Sequence, residues 1–165
     1  MRLGRNPSLQ VRRRALLALI VSAPASAAWA TSCAPRRVLF VCPAGTVKSP
    51  IAREMARRIS VERGVPLLVS ARGVALEDHL GPALAARLRA DGIDPGREPA
   101  RALSAADLAQ ADIIVAFDEA SRAPGLAGAR NWNTPSWNTD YDRARAVVTE
   151  RIEALLDELA VAACR

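Results

Sequence analysis

Hydrophobic runs and helical patterns alternate along the chain after residue 36. Short apolar runs predict buried strands at residues 37–42, 65–69, 111–117 and 129–133. Between and after these runs, apolar residues recur at helical spacing, which predicts helices capped at Ser49 and Ser104 and helices over 80–91 and 142–162. Strands that alternate with helices predict an α/β fold, a parallel sheet covered on both faces, with ligands at the carboxyl ends of its strands.

The first 30 residues have a different pattern, typical of an export signal. Residues 1–37 contain seven arginines and no acidic residue, and Arg12-Arg13-Arg14 precedes the apolar stretch 15–23. Small residues follow and end in Ala28-Trp29-Ala30, which matches a signal-peptidase site. The sequence therefore predicts a signal over 1–30, a domain over 36–163, and a periplasmic or extracellular location. A helix packed on the domain is the structural alternative.

The type of signal stays open. Paired arginines before an apolar run also occur in twin-arginine signals. The segment Trp29-Ala30-Thr31-Ser32-Cys33 resembles a lipoprotein processing site, which would extend the signal to residue 32 and leave a lipid anchor on Cys33. Membrane contact is expected only through the export signal or this lipid.

Charge and composition limit which partners and cofactors the mature domain is expected to bind. Five arginines lie in the first 30 residues, and without them the net charge of +6 falls to +1. A nearly neutral domain without a basic run is a poor nucleic-acid binder, so no nucleic-acid partner is expected. No group of His, Cys and acidic residues has metal-ligand spacing, so we expect no metal or cofactor. His79, the single histidine, is expected in a solvated loop.

The strongest candidate for chemistry is the loop that follows the first predicted strand. Cys42 ends that strand, and Lys48, the only lysine of the chain, comes six residues later. The loop runs into a helix N-terminus, whose free N–H groups and dipole favour an anion and a cysteine thiolate. Gly45 can adopt positive φ and turn successive N–H groups inward, and Ser49 can donate its hydroxyl to the thiolate.

The chain contains three cysteines, Cys33, Cys42 and Cys164. In an oxidising compartment, a nucleophilic Cys42 has to stay reduced. Pairing of Cys33 with Cys164 would spare it, but the sequence does not decide this.

Three stretches of the chain together resemble a known family. The stretch VLFVCPAGTVKSPIAREMARR resembles that family's first strand, phosphate loop and first helix. SARG at 70–73 resembles the end of its second strand, and ADIIVAFD at 111–118 resembles its third strand. The three stretches are similar to the low-molecular-weight protein tyrosine phosphatases and to the arsenate reductases that share their fold, over residues 37 to about 160. The resemblance implies a three-layer sandwich with a four-stranded parallel sheet. It also implies that Cys42 attacks a phosphate monoester, forming a cysteinyl-phosphate that water hydrolyses. The phosphate would be held by residues Pro43, Ala44, Gly45, Thr46, Val47 and Lys48.

The chain departs from the family pattern within the loop. The family loop is C-x-G-N-x-C-R-S, whereas this one has Ala44 for Gly, Gly45 for Asn and Lys48 for Arg. A guanidinium holds two phosphoryl oxygens in a planar fork, while an ammonium supplies one point charge on a flexible stem. Losing such a transition-state donor costs roughly 10²–10³ in rate.

The family's general acid, an Asp in a late Asp-Pro pair, is also missing. The matching position is Thr134 or Ser136, depending on the register, and neither is a carboxylic acid. Losing a general acid costs roughly 10²–10⁴ in rate. Asp140 is the candidate replacement if the loop is shifted. Trp137 is predicted either to form a wall of the substrate pocket or to pack in the core.

These observations predict an exported phosphatase-like protein with slow or altered activity on a phosphate monoester or a phosphorylated protein. Cys42, Lys48 and Ser49 would be its catalytic residues. The alternative is a non-catalytic module that binds phosphate or a phosphorylated ligand. Thiol redox or arsenate-reductase-like chemistry at Cys42 is a third possibility, although no resolving cysteine occurs between Cys42 and Cys164. The oligomeric state is left open.

Overall fold

The computed structural model describes residues 34–162. The predicted signal, Cys33, Cys164 and the predicted domain end at residue 163 lie outside these residues. Within 34–162, no helix is long and apolar enough to cross a bilayer. The strands are β1 (Arg36–Cys42), β2 (Leu67–Gly73), β3 (Ile113–Phe117) and β4 (Arg130–Trp132), and the helices are α1 (Lys48–Glu62), α2 (Pro82–Ala90), α3 (Ala105–Gln110) and α4 (Tyr141–Ala162). Two short 3₁₀ helices span Pro95–Arg97 and Asp118–Arg122.

The four strands form one parallel sheet in the order β2-β1-β3-β4, which confirms the predicted fold. Side chains alternate along β1, because successive residues of a strand point to opposite faces. Val38, Phe40 and Cys42 belong to the larger core with α1, α2 and α4. Leu39 and Val41 belong to a smaller core on the opposite face, which includes residues around α3 and the second 3₁₀ helix. The sheet is therefore the middle one of three layers.

The second strand begins later than predicted. The apolar run predicted a strand from residue 65, whereas β2 begins at Leu67; it ends in residues 70–73, as the family resemblance implied. Each residue from Leu67 to Gly73 pairs with β1, from Arg36 to Cys42. The partly polar segment 70–73 is extended because it pairs with the central strand, a long-range interaction that a local hydrophobic pattern does not reveal.

The start of α1 also differs from the prediction. We expected Ser49 to be the N-cap and Pro50 the first helical residue, but the helix begins at Lys48 and its N-cap is Val47. No side chain caps this end. The Ser49 hydroxyl is instead used inside the loop, as described below.

The predicted cap at Ser104 is confirmed. Its hydroxyl accepts a hydrogen bond from the Asp107 amide, while the Asp107 carboxylate accepts one from the Ser104 amide. This reciprocal capping box fixes the start of α3. Burial acts to raise the pKa of Asp107, but hydrogen bonds from Arg72 and Ser104 hold it below its usual value.

Tyr141, the single tyrosine, gives a direct test of the packing between α2 and α4. Its hydroxyl donates to Asp91 at 2.5 Å, and the Arg87 guanidinium lies 3.9 Å from its ring centroid. Burial and the Asp91 carboxylate raise the pKa of Tyr141 to about 12. The folded domain therefore binds this proton more tightly than the unfolded chain, whose phenol has a pKa of about 10.

We expect the ultraviolet absorbance of the phenolate to titrate near pH 12 in the folded protein and near pH 10 in denaturant. The stability linked to this proton is fully present below about pH 10 and is lost as the pH rises through about 12. Tyr141→Phe should remove this part of the alkaline destabilisation. A folded-state midpoint near pH 10 would contradict the buried Tyr141–Asp91 contact.

Candidate active site

The site lies where the strand order of the sheet reverses. The chain passes from β1 to β2 on one side, and β3 pairs with β1 on the other side. In parallel sheets, ligands bind at the carboxyl ends of strands at such a switch point. Cys42 is the last residue of β1, and Asp118 directly follows β3. The predicted loop therefore opens at the position that the topology favours for a ligand.

The loop after Cys42 folds back toward the cysteine sulfur. The Gly45 amide donates to Cys42 Sγ at 3.2 Å, and Gly45 has a φ of +74°. Positive φ is tolerated because glycine lacks Cβ. Within residues 34–162, no acceptor is found for the backbone N–H groups of Ala44, Thr46, Val47, Lys48 and Ser49. These unpaired donors, beside a buried cysteine, make the loop able to bind an anion.

Ser49 connects the cysteine to the second strand. Its hydroxyl lies 3.1 Å from Cys42 Sγ and donates to the Arg72 carbonyl at 3.0 Å. Because a hydroxyl has one proton, the neutral thiol donates to Ser49 in this arrangement. On ionisation of Cys42, the hydroxyl can rotate and donate to the thiolate. The Arg72 side chain is fixed by an ion pair with Asp107 at 2.6 Å, which holds this end of β2 in place.

Lys48 does not lie free over the loop. Its ammonium forms an ion pair with Asp118 Oδ2 and donates to the Thr134 carbonyl at 3.1 Å. The second Asp118 oxygen accepts from the Thr134 amide at 3.1 Å. Asp118 has a φ of +52°, rare for a residue other than glycine. Two of the three ammonium protons are therefore engaged with protein, which leaves one for a ligand.

A cavity of about 530 Å³ opens above Cys42. This size is within the range of small-molecule pockets. Its lining residues come from the loop, from the segments after β2 and β3, and from the segment before α4: Cys42, Pro43, Ala44, Val47, Lys48, Ala75, Glu77, His79, Asp118, Glu119, Ser136, Trp137 and Asn138. The cysteine is thus at the base of a pocket large enough for a phosphoryl group and part of its carrier.

Comparison with protein families decides the assignment. The sequence profile of the low molecular weight phosphotyrosine protein phosphatases matches residues 37–130, more than half of the chain. The chain belongs to this family. A search of curated protein sequences gives no significant match.

Solved structures of the family and its relatives share the fold at low sequence identity. An arsenate reductase in the phosphate-binding state has a TM-score of 0.62 at 17% identity, with 75% of this chain and 98% of the other covered. SP-PTP, a low molecular weight protein tyrosine phosphatase from Streptococcus pyogenes, has a TM-score of 0.58 at 17% identity, with 75% and 93% covered. The arginine phosphatase YwlE from Geobacillus stearothermophilus has a TM-score of 0.59 at 19% identity, with 77% and 94% covered. At these identities the likeness establishes the fold, so this protein is a divergent family member.

The structure brings together the loop residues that the sequence singled out. Cys42, Lys48 and Ser49 lie in one loop and the first turn of α1. Thr46 has an additional contact, because its hydroxyl donates to the Glu77 carbonyl at 2.7 Å and accepts from the His79 amide at 3.1 Å. It therefore ties the phosphate loop to the segment that follows β2.

The residues proposed for the missing acid are spread around the cavity. Asp140 is exposed and does not line the cavity, so the structure shows no loop shift that brings it over Cys42. Thr134 is held by its main chain to Lys48 and Asp118, and Ser136 lines the cavity. Trp137 combines the two roles predicted for it, since it lines the cavity and is also buried.

Sequence reasoning did not assign a role to three acidic residues of the cavity. Asp118 was identified only as the end of a strand, and Glu77 and Glu119 were not singled out. A carboxylate that directly follows a buried parallel strand was a usable signal for Asp118, because carboxyl ends of parallel strands meet at one edge. His79, expected in a solvated loop, is indeed exposed but also lines the cavity, with Nε2 2.7 Å from Glu77 Oε2.

Two glycines let the end of β2 support the phosphate loop. A Cβ on Gly73 would lie 2.8 Å from Gly45 Cα and 2.9 Å from the Gly45 amide nitrogen, which are both backbone atoms. We expect Gly73→Ala to lower the free energy of unfolding by about 1–3 kcal/mol, because the loop has to move. Urea denaturation measures this loss. Gly128→Ala is the matched control, since its Cβ would meet nothing within 4 Å. Equal stability of the two variants would contradict the close contact.

Proposed function

We propose that this family member is an exported protein that binds the phosphoryl group of a phosphate monoester in the Cys42 loop and transfers it slowly to the cysteine. One observation carries the proposal: unpaired backbone N–H groups follow a buried cysteine at the base of a cavity. Membership of the phosphatase family supports phosphorylated substrates.

The geometry supports a two-step reaction. Phosphoryl oxygens accept hydrogen bonds from the loop amides and from the remaining ammonium proton of Lys48. The Cys42 thiolate attacks phosphorus, an S–P bond forms, and the bond to the leaving oxygen breaks. Water then attacks phosphorus, the S–P bond breaks, and inorganic phosphate and the thiolate are released. Ser49 stabilises the thiolate before the first step and after the second.

Two features support slow turnover. Lys48 is held by Asp118 and Thr134, so its charge is partly neutralised before phosphate binds. The leaving oxygen also needs a proton, and neither Thr134 nor Ser136 is a carboxylic acid. Substrates whose leaving group is stable as an anion should therefore react faster than alkyl phosphates.

The same features favour a second candidate function, binding without turnover. The loop amides need no general acid to hold phosphate, so binding survives the changes that slow the chemistry. Redox chemistry at Cys42 has less support, because Cys42 is the one cysteine in the part of the chain that the structure describes.

Turnover of para-nitrophenyl phosphate by the purified protein tests the proposal, because this substrate depends least on a general acid. Arsenate is added as a competing oxyanion, and N-phosphoarginine as a second substrate whose release of inorganic phosphate is measured, since structural neighbours are an arsenate reductase and an arginine phosphatase. We expect slow release of nitrophenol and protection from thermal unfolding by phosphate or vanadate. Protection without turnover supports the binding module, and the absence of both rejects the two functions.

Export is tested separately from chemistry. Expression of the full chain in a bacterial host with a periplasm should give a protein that begins at Thr31, measured by intact mass after cell fractionation. A lipid on Cys33 would increase the mass of the protein and move the protein into the membrane fraction. Retention of residues 1–30 in the cytoplasm would reject the export proposal.

A further inference from the structure

The ionised side chains that line the catalytic cavity are mostly acidic. Glu77, Asp118 and Glu119 contribute carboxylates, and Lys48 contributes the one ammonium. Lys48 and Asp118 neutralise each other in an ion pair. Glu77 and Glu119 therefore determine the charge that an approaching ligand meets, and a phosphate dianion alone is repelled by both.

The two glutamates lie on segments from opposite sides of the Cys42 loop. Glu77 follows β2 and Glu119 follows β3, the two strands that flank β1 in the sheet. One oxygen of Glu77 contacts the ring of His79. Glu119 is exposed, and within residues 34–162 no hydrogen bond or ion pair of its carboxylate is found. Glu119 is thus the more available partner for a ligand cation.

A separate feature of the cavity indicates a ligand larger than inorganic phosphate. Trp137 is only 2% exposed and lines the cavity. The cavity of about 530 Å³ is larger than a phosphate ion needs, so it has room for groups on either side of a phosphorylated side chain. The Trp137 side chain offers these groups a largely apolar wall, while its indole N–H is buried and does not take part.

Given the phosphate site proposed above, we propose that Glu119, supported by Glu77, selects phosphopeptides that carry Arg or Lys next to the phosphorylated residue. Such a ligand brings its own positive charge to the acidic mouth while its phosphoryl group enters the Cys42 loop. Its groups beside the phosphorylated residue pack against the wall formed by Trp137. A peptide with acidic neighbours meets like charges at the same positions.

The test measures dissociation constants on the Cys42→Ser protein, which binds without turning over. Two phosphotyrosine peptides are compared that differ only in having Arg or Glu on both sides of the phosphotyrosine. We expect the Arg peptide to bind about 10-fold more tightly at low salt, because each exposed ion pair contributes up to about fivefold. The preference should decrease as ionic strength rises.

Variants assign the preference to residues. Glu119→Gln should reduce the ratio of the two dissociation constants by about threefold, and Glu77→Gln together with Glu119→Gln should reduce it further. Glu150→Gln is the matched control, because Glu150 is an exposed glutamate on α4 that lines no part of the cavity. For Glu150→Gln, the ratio of the two dissociation constants should equal that of the parent protein.

The outcomes separate this proposal from the function on which it rests. Equal affinity for the two peptides, or tighter binding of the Glu peptide, overturns the proposal. A ratio unaffected by Glu119→Gln overturns the assignment to that residue. If neither peptide binds while phosphate still protects the protein from unfolding, the peptide proposal fails and the phosphate site stands. If phosphate protection is also absent, both fail.

Discussion

Replacing Lys48 by arginine should raise para-nitrophenyl phosphate turnover about 10²-fold to 10³-fold. The ammonium has three protons, and the contacts with Asp118 and Thr134 use two of them. A guanidinium has five N–H donors in a planar fork, so it can keep contacts to Asp118 and still hold two phosphoryl oxygens. The gain should appear in kcat, because the fork matches the transition state more closely than the bound phosphate.

Two companion variants test this explanation. Lys48→Met keeps the length of the side chain but removes the charge, so turnover should fall below that of the parent protein. Asp118→Asn breaks the ion pair with the Lys48 ammonium and removes a negative charge that repels phosphate. It should tighten inorganic phosphate binding about tenfold. Unchanged turnover in Lys48→Arg would show that the lysine is not what limits the reaction, and the missing general acid would then be the remaining explanation.

Replacing Cys42 by serine should abolish turnover while phosphate binding persists. A serine hydroxyl is far less ionised than a thiol, so it needs a general base to become a nucleophile. The side chain beside position 42 is the Ser49 hydroxyl, which donates to the Arg72 carbonyl and is not a base. Removing an essential nucleophile costs on the order of 10⁴–10⁶ in kcat. Binding should remain, because the loop amides and not the sulfur hold the phosphoryl oxygens. Nitrophenol release and thermal protection by phosphate measure the two effects.

The other two cysteines provide the control for this prediction. Replacing Cys33 and Cys164 together by serine leaves one cysteine in the chain and should leave kcat unchanged. Turnover that survives in Cys42→Ser would reject Cys42 as the nucleophile. A phosphoenzyme trapped by acid quenching should be found on the parent protein and not on Cys42→Ser.

Prediction from sequence was most successful where the signal was local. The apolar run of β1, the loop to Lys48 and the helical spacing of α1 are contiguous in the chain, and all three occur in the structure. The capping box at Ser104 also depends on residues only three positions apart. Element boundaries that depend on pairing were less well predicted. The apolar run predicted β2 from residue 65, but the strand begins at Leu67, where pairing with Arg36 of β1 begins.

The site shows the same limit. Lys48 could be identified as the cation of the loop, but its partner Asp118 lies 70 residues further along the chain. Glu77 and Glu119 lie in segments with no helical or strand pattern, and only the sheet order places them at one cavity. Ser49 was correctly placed beside Cys42 but wrongly given the role of helix cap, because its hydroxyl is used by the sulfur and by Arg72.

The sequence by itself determined the fold class, the Cys42 loop and the exchange of arginine for Lys48, because each depends on the order and spacing of neighbouring residues. Only the tertiary structure decided what this exchange means. Parallel pairing of β1 and β3 brings Asp118 to Lys48. The ammonium has three N–H donors, so those bound to the Asp118 carboxylate and to protein are not available to phosphate. The positive charge that Lys48 offers a ligand therefore depends on residues from two segments that meet only at the folded edge of the sheet.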